Sequence, residues 1–328
     1  MINYILRRIG YMLVTLVIIA VLGYIIIELP SGSYLEYEIN RLRQQGGNLS
    51  QDQIRSLEIR YGLNDPAYVR FWKWISGFVV GDFGVSFQYQ QQPVRSLIGQ
   101  RLLLTIGIST FSLFLAWGIA VPVGVYSATH RYTIPDYIIT VIQFLGLSIP
   151  SFLVALVLMV FAQRVLGQEV GGLFSEQYRA APWSFAKFAD MLKKVWIPIL
   201  VIAFGSTAGL SRIMRANLLD VLGMQYIQTA RSKGLKESKV VWKHAVKNAM
   251  HPLIMILGGS LPGIISGETV VAIVLNLPTV GPMYFQAQMN QDVYLAASFL
   301  MFLSILGLLG NLIADIVLAW VDPRIRYE

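Results

Sequence analysis

The densest polar chemistry of the chain lies in Gln225–Pro252, QYIQTARSKGLKESKVVWKHAVKNAMHP. Arg231, Lys233, Lys236, Lys239, Lys243 and Lys247 crowd into it, and Glu237 is its only acid. Such a run presents a structured polar surface to something else. Other ionisable groups sit in apolar surroundings: Glu268, Asp315 and, near the end of a hydrophobic run, Arg164. Charges of this kind are expensive in lipid, so they line a pathway, face a water-filled cavity or meet a partner subunit. Catalytic patterns do not emerge. No GxxxxGK[ST] cradle for phosphate occurs. His130, His244 and His251 give no HExxH spacing, and there is no GxSxG elbow. No catalytic pair at matched membrane depth is found. The chain therefore reads as a non-enzyme.

Composition explains what must position these residues. Of 328 residues 13% are charged, against about 25% in a typical soluble domain, and mean hydropathy is +0.58. Several apolar runs reach the ~20 residues a membrane helix needs. The net charge of +8 lies largely beside these runs, which the positive-inside rule explains without invoking nucleic acid. With no cysteine, disulfides, haem attachment and thiolate metal sites are excluded. Arg7 and Arg8 precede an apolar run, Ile9–Ile27, that is too long for a signal-peptide core; it is expected to be a retained first span with a cytoplasmic start.

The chain order predicts an all-α, polytopic membrane protein with six spans. Residues 1–101 comprise the first span and a long outer segment. Within it, Ser50 and Gln53 resemble a capping box, and Tyr61–Pro66 reads as a helix stop. Phe71, Trp72, Trp74 and Phe78 suit the membrane interface. Residues 102–321 form a five-span core, with spans near Leu102–Thr129, Tyr137–Leu166, Trp196–Met214, Leu253–Leu275 and Ala296–Val321. Gly167–Val195 and Asn276–Leu295 are expected as outer loops. Residues 215–252 form an inner loop, and 322–328 a cytoplasmic tail. Two spans are broken: GLSIPSF (Gly146–Phe152), where Pro150 is expected to kink the helix, and GGSLPGIISGE (Gly258–Glu268). Non-helical backbone at membrane depth is tolerated where it is buried in protein or lines a cavity, so Ser148, Pro150, Ser151, Pro262, Ser266 and Glu268 are candidate pathway residues. The alternative is ordinary close helix packing.

The basic stretch divides at a glycine. Tyr226–Lys233 has helical spacing, Gly234 ends it as a C-terminal glycine does, and Lys236–Ala249 restarts a helix with Trp242, Ala245 and Ala249 on one side. An amphipathic hairpin lying on anionic membrane lipid is one reading.

The motif YIQTARSKGL (Tyr226–Leu235), followed by HAVKNA (His244–Ala249) and Pro252, resembles the EAA loop of binding-protein-dependent ABC importer permeases of the type I fold. The likeness is nearest to the first-subunit branch of the oligopeptide/dipeptide/nickel permease family. GDFGVSF (Gly81–Phe87), GLSIPSF, GETVV (Gly267–Val271) and the ending NLIADIVLAWVDPRIRY (Asn311–Tyr327) extend it over almost the whole chain. The resemblance implies that Tyr226, Thr229, Ala230, Arg231, Lys233, Gly234, Leu235, His244 and Asn248 form the coupling loop. The helix before Gly234 would dock in a cleft on a cytoplasmic ATPase subunit. It further implies a homologous second permease, two ATPase subunits that bind ATP and Mg, and an extracytoplasmic solute-binding protein. The chain itself would bind no cofactor. Its place would be the bacterial or archaeal cytoplasmic membrane, with both termini inside, importing oligopeptides or oligosaccharides by alternating access. Two segments depart from the peptide-type pattern: Ala272 stands at a usually acidic position with Thr279 in place of a glycine, and ELPSGSYLEY (Glu28–Tyr37) replaces a PGDP-like turn. Both resemble members associated with oligosaccharides. A stand-alone ion-coupled secondary transporter is the alternative; Glu268 and Asp315 would have to supply its coupling site.

Overall fold

The computed structural model describes residues 2–28, 65–89, 92–179, 181–260, 262–263 and 269–321, with single positions at 39, 50, 54, 55 and 59. In chain order the helices are α1 (Ile2–Glu28), α2 (Ala67–Val79), α3 (Val94–Thr129), α4 (Ile134–Ser148), α5 (Ser151–Val165), α6 (Glu176–Arg179), α7 (Phe185–Leu222), α8 (Gln225–Ser232) and α9 (Glu237–Lys239). A π-helical segment, Val240–Ala245, leads into α10 (Val246–Ala249). Then come α11 (His251–Gly259), α12 (Thr269–Val274), α13 (Val280–Met289) and α14 (Val293–Val321).

Among the described residues four helices are long and apolar enough to cross a membrane: Arg7–Glu28, Val94–Thr129, Phe185–Leu222 and Val293–Val317. The pair α4 and α5 supplies a fifth if taken as one broken span. The predicted span Leu253–Leu275 is represented by α11 and α12, with 261 and 264–268 outside the described residues. The expected capping box at Ser50–Gln53, the stop at Tyr61–Pro66, the Glu28–Tyr37 turn and the tail 322–328 also fall wholly or partly outside them.

Several boundaries differ from the sequence reading. At Pro150 the chain breaks rather than kinks: α4 and α5 meet at 103°. Proline disfavours helical geometry in the residue before it, and here Ile149 is extended, with φ −84° and ψ 123°. The outer loop expected over Gly167–Val195 gives way at Phe185 to α7, whose first turn is capped by the Ser184 hydroxyl accepting from the Lys187 N–H at 3.2 Å. The opening ten residues of α7, FAKFADMLKK, are charged enough to be passed over by hydropathy. The loop Asn276–Leu295 likewise contains α13.

Contacts group the chain into two units. The first comprises Met1–Leu103 with Thr279–Leu308. Its core joins Ala20 and Tyr24 of α1, Trp74 of α2, and Ala297 and Met301 of α14, with Phe71 and Phe78 packed against them. Trp74, expected at the membrane interface, is buried and donates from Nε1 to the Ser298 hydroxyl at 2.9 Å. That hydroxyl donates to the Phe83 carbonyl at 3.1 Å. Thus GDFGVSF is tied to the start of α14. Asp292, just before α14, is fully buried and accepts from the Ser86 hydroxyl and the Gln88 N–H. Burial pushes its carboxyl above the ordinary range.

The second unit comprises Leu104–Pro278 with Leu309–Glu328. One core cluster runs from α3 (Ala116, Ala120, Val125, Ala128) through α7 (Met214, Leu218, Val221) to α8 (Ile227, Ala230). The same cluster continues through Val240, Val241, Ala245, Val246 and Ala249 to Leu253. The basic hairpin is therefore built on the same apolar floor as two long helices. At Gly124 of α3 a Cβ would stand 2.7 Å from both the Met214 Cβ and the Ser211 carbonyl oxygen, so α3 and α7 cross at backbone contact.

Candidate functional site

The hairpin begins where α7 ends. That helix runs eight residues past the expected limit at Met214, to Leu222, and Gly223–Met224 turn the chain into α8. Ile227 and Ala230 are buried while Tyr226 and Thr229 are exposed, so one face is anchored and the other is open. Burying a side chain such as Ile227 stabilises by about 1.5–3 kcal/mol, enough to outweigh any single surface contact of this helix. Lys233 caps α8, and Gly234 follows with φ +73°. In that left-handed region a side chain is strained and glycine is not.

Across the turn the Arg231 guanidinium grips Glu237, with Nη2 donating to Oε1 at 2.6 Å and Nε to Oε2 at 3.1 Å. The bonded guanidinium holds the Glu237 carboxyl below its ordinary range. The Asn248 amide donates to the Tyr226 hydroxyl at 2.6 Å, joining α10 to α8. Leu235 is half-buried against the shared core, and His244 is half-buried. Lys233, Lys236, Lys239, Lys243 and Lys247 are exposed. Thus the structure gathers the nine positions expected of a coupling loop into one compact hairpin with a cationic outer face.

The second arm differs from the sequence reading. Trp242 does not share a side with Ala245 and Ala249: it is 52% exposed, and they are 0% and 1%. The π-helical segment causes this. Its wider turn rotates Trp242 away from the face that 3.6-residue spacing assigns it, and Val240 and Val241 take the floor positions instead.

Of the pathway candidates, Ser148 and Pro150 are exposed and Ser151 is half-buried at the 103° break. Pro262 is half-buried, and Ser266 and Glu268 lie outside the described residues. A largely apolar cavity of about 500 Å³ lies elsewhere in the second unit. Ile119, Ile142, Leu158 and Phe204 line it, with Gln143 donating to the Ser211 hydroxyl at 3.0 Å. Among the described residues no group of three His, Asp or Glu is placed to hold a metal.

Sequence reasoning missed a polar cluster next to the hairpin. Asp136, in the first turn of α4, takes both arms of Arg215 near the end of α7: Nε to Oδ1 at 3.0 Å and Nη2 to Oδ2 at 2.9 Å. Ser127 of α3 donates to Oδ1 and accepts from Arg215 Nε at 2.9 Å. The Tyr132 N–H donates to Oδ2 at 3.0 Å. The available signal was slight: in SRIMRANLLD, Arg212 and Arg215 stand among mostly apolar neighbours, with Asp220 as the acid of the segment. The partner of Arg215, 79 residues away in sequence, could be supplied only by the fold.

Comparison with known proteins follows the same lines. The family described as "Binding-protein-dependent transport system inner membrane component" matches residues 120–327. Its N-terminal companion matches residues 1–109. The oligopeptide transport system permease protein AppB of Bacillus subtilis is 36% identical, with 99% of each chain covered. The oligopeptide transport system permease protein OppB of Escherichia coli K12 is 30% identical over the full length of both. Among solved structures, the inward-facing methionine ABC transporter MetNI is similar in fold, with a TM-score of 0.53 at 18% identity over 69% of this chain and 96% of that one. The chain belongs to the inner-membrane permease family of binding-protein-dependent ABC transport systems, in its oligopeptide/dipeptide branch.

Proposed function

We propose that this permease half carries oligopeptides inward by alternating access, driven by two cytoplasmic ATPase subunits that bind ATP and Mg. A homologous second permease completes the path, and an extracytoplasmic binding protein delivers the solute. Six spans with both termini inside fit the charge distribution: the Asn276–Leu295 segment has no Lys or Arg, and the basic hairpin has six. The helix α8 is the element that docks on the ATPase. The observation that carries this is its construction: an eight-residue helix with a buried apolar floor, an exposed polar face and an end set by Gly234. A helix anchored this way moves as a body when its partner changes shape, and it transmits force only if it contacts the two ATPase states differently.

The solute reading rests on the relatives, which are named oligopeptide permeases. The departure at Ala272 counts less against it than the sequence suggested. Ala272 is buried in α12, in a cluster with Ile108, Ala155 and Val201, so an alanine there bears on packing. Family membership leaves no need for the ion-coupled alternative.

The test is Gly234→Pro and Arg231→Glu in the assembled complex. Proline cannot adopt φ +73° and removes the N–H that donates to the Arg231 carbonyl at 2.9 Å. Arg231→Glu sets two carboxylates against each other across the turn. Both variants are expected to insert in the membrane and to lose uptake relative to ATP hydrolysed; normal uptake in both would sink the docking assignment. The solute is identified by which ligand class, oligopeptide or oligosaccharide, raises the melting temperature of the partner binding protein.

A further inference from the structure

We propose that Asp136 and Arg215 are positioning residues for coupled transport. Their bidentate pair locks α7, and with it the docking helix α8, in register with α3 and α4. A movement received at α8 then reaches three membrane helices together. This rests on the reading of α8 as the docking helix.

The geometry has three parts. First, one carboxylate collects three helices. Asp136 belongs to α4, Arg215 to α7 and Ser127 to α3, and all three side chains bond one another. The Tyr132 N–H, from the turn between α3 and α4, completes the set. Tyr132 has φ +64°, an uncommon conformation for a bulky residue, and it aims that N–H at Oδ2.

Second, the pair stands between membrane helices and lever. Arg215 lies seven residues before the end of α7, and α8 starts after a two-residue turn. Met214, Leu218 and Val221 on α7 share one core with Ile227 and Ala230 on α8 and with Ala116, Ala120 and Val125 on α3.

Third, the apolar core alone does not define register. Hydrophobic contact is non-directional. A slide of one helical turn, about 5.4 Å, exchanges one set of apolar neighbours for another. The two parallel N–H···O bonds of a guanidinium–carboxylate fork allow no such slide. Burial also makes the pair decisive. The Asp136 side chain is 3% exposed, so separating it from Arg215 would leave a carboxylate away from water.

The experiment uses the whole transporter: both permeases, two ATPases and the binding protein. The chain has no cysteine, so Gln225→Cys on α8 and Phe144→Cys on α4, both at exposed positions, take spin labels specifically. The α8–α4 distance is measured by pulsed electron paramagnetic resonance, nucleotide-free and trapped with ATP and vanadate. The parent is expected to keep one narrow distribution in both states. In Asp136→Asn/Arg215→Gln, which removes both charges and strands neither, the distribution is expected to broaden or shift by about one helical turn, ~5 Å. Uptake of an alanine oligopeptide mixture per ATP hydrolysed is expected to fall about fivefold or more.

A merely structural pair would lower the yield of complex yet leave the distance distribution of the surviving complex unchanged. That result overturns the proposal, as does a parent distance that changes between the two states. If the double variant does not assemble, Arg215→Lys keeps the charge but cannot form the two-pronged fork, and it is read the same way. A broadened distribution supports the clasp, and an unchanged one overturns it. Gly234→Pro separates the two readings. Normal uptake there and in Arg231→Glu removes the docking reading, while the distance measurement still judges whether the pair holds α8 to α4.

Discussion

Two arginine–carboxylate pairs lie within one unit of this protein and share one geometry, but their surroundings differ. Arg215 and Asp136 form a fork under three helices, with Asp136 3% exposed. Arg231 and Glu237 form a fork across a glycine turn, with Glu237 60% exposed. Distances do not separate them: 2.9 and 3.0 Å in the first, 2.6 and 3.1 Å in the second. Burial does. Water solvates either member of the exposed pair when it opens, so that pair is worth about 0.2–1 kcal/mol. Asp136 itself meets little water and Arg215 is 25% exposed, so removing one member leaves the other poorly solvated. The buried fork can therefore define a relation between helices, whereas the exposed fork trims a loop.

The largest expected effect sharpens this contrast. Arg215→Gln alone leaves the Asp136 carboxylate buried with only the Ser127 hydroxyl and the Tyr132 N–H as donors. Loss of one partner of such a pair costs about 3–5 kcal/mol. The double change Asp136→Asn/Arg215→Gln should cost clearly less. Thermal unfolding of the purified permease complex compares them; a double variant no more stable than the single would break the argument from burial.

Next in size is Gly124→Ala. Its methyl would enter the contact of α3 with the Met214 side chain and the Ser211 carbonyl. Overpacking of this kind costs about 1–3 kcal/mol. The same two helices are also joined by Arg215 Nε donating to the Ser127 hydroxyl at 2.9 Å, so the variant asks whether close backbone approach or that polar link holds them. A melting temperature equal to the parent's would mean that the close approach at Gly124 is not what holds α3 to α7.

A third, smaller effect concerns the hairpin. Asn248→Ala removes the 2.6 Å hydrogen bond to the Tyr226 hydroxyl, the polar link between the two arms. Such a bond contributes about 0.5–1.5 kcal/mol, and its exposure places it at the low end. Hydrogen exchange of the α8 amides should quicken, while α7 amides near Arg215 stay as in the parent. Equal quickening in both would mean that hairpin and clasp are one cooperative unit.

The parts of this picture that could be read from sequence are those whose cause is local. Gly234 ends α8 because a positive φ is needed at that residue, and only glycine meets it freely. Pro150 marks a weak point in its span because a proline acts on its own N–H and on the residue before it, although Pro122 and Pro198 lie inside unbroken helices. The angle that follows, 103°, was not legible, because it is set by what α5 packs against, namely α7 and α12. The π-helical turn at Val240–Ala245 has no distinctive residue, so Trp242 was placed on the wrong face. The clasp was missed for the same reason at longer range. Asp136 and Arg215 are unremarkable as single residues, and their meaning is the contact.

The smallest effect tests the exposed member of the comparison. Glu237→Gln keeps the side-chain shape and leaves Arg231 in water, so stability should fall by no more than about 0.5 kcal/mol. Its pH dependence has a definite sign. Arg231 lowers the Glu237 carboxyl from its ordinary 4.5, so the unfolded chain binds this proton more readily than the folded one. The stabilisation is then present above the ordinary carboxylate range and disappears as pH falls through and below it. The parent and Glu237→Gln should therefore converge in melting temperature on acidification, and raised salt should also bring them together at neutral pH. A difference that survives both would mean that this pair is shielded from water as the Asp136 pair is. The contrast between a fork that fixes register and a fork that trims a turn would then have to be redrawn around something other than burial.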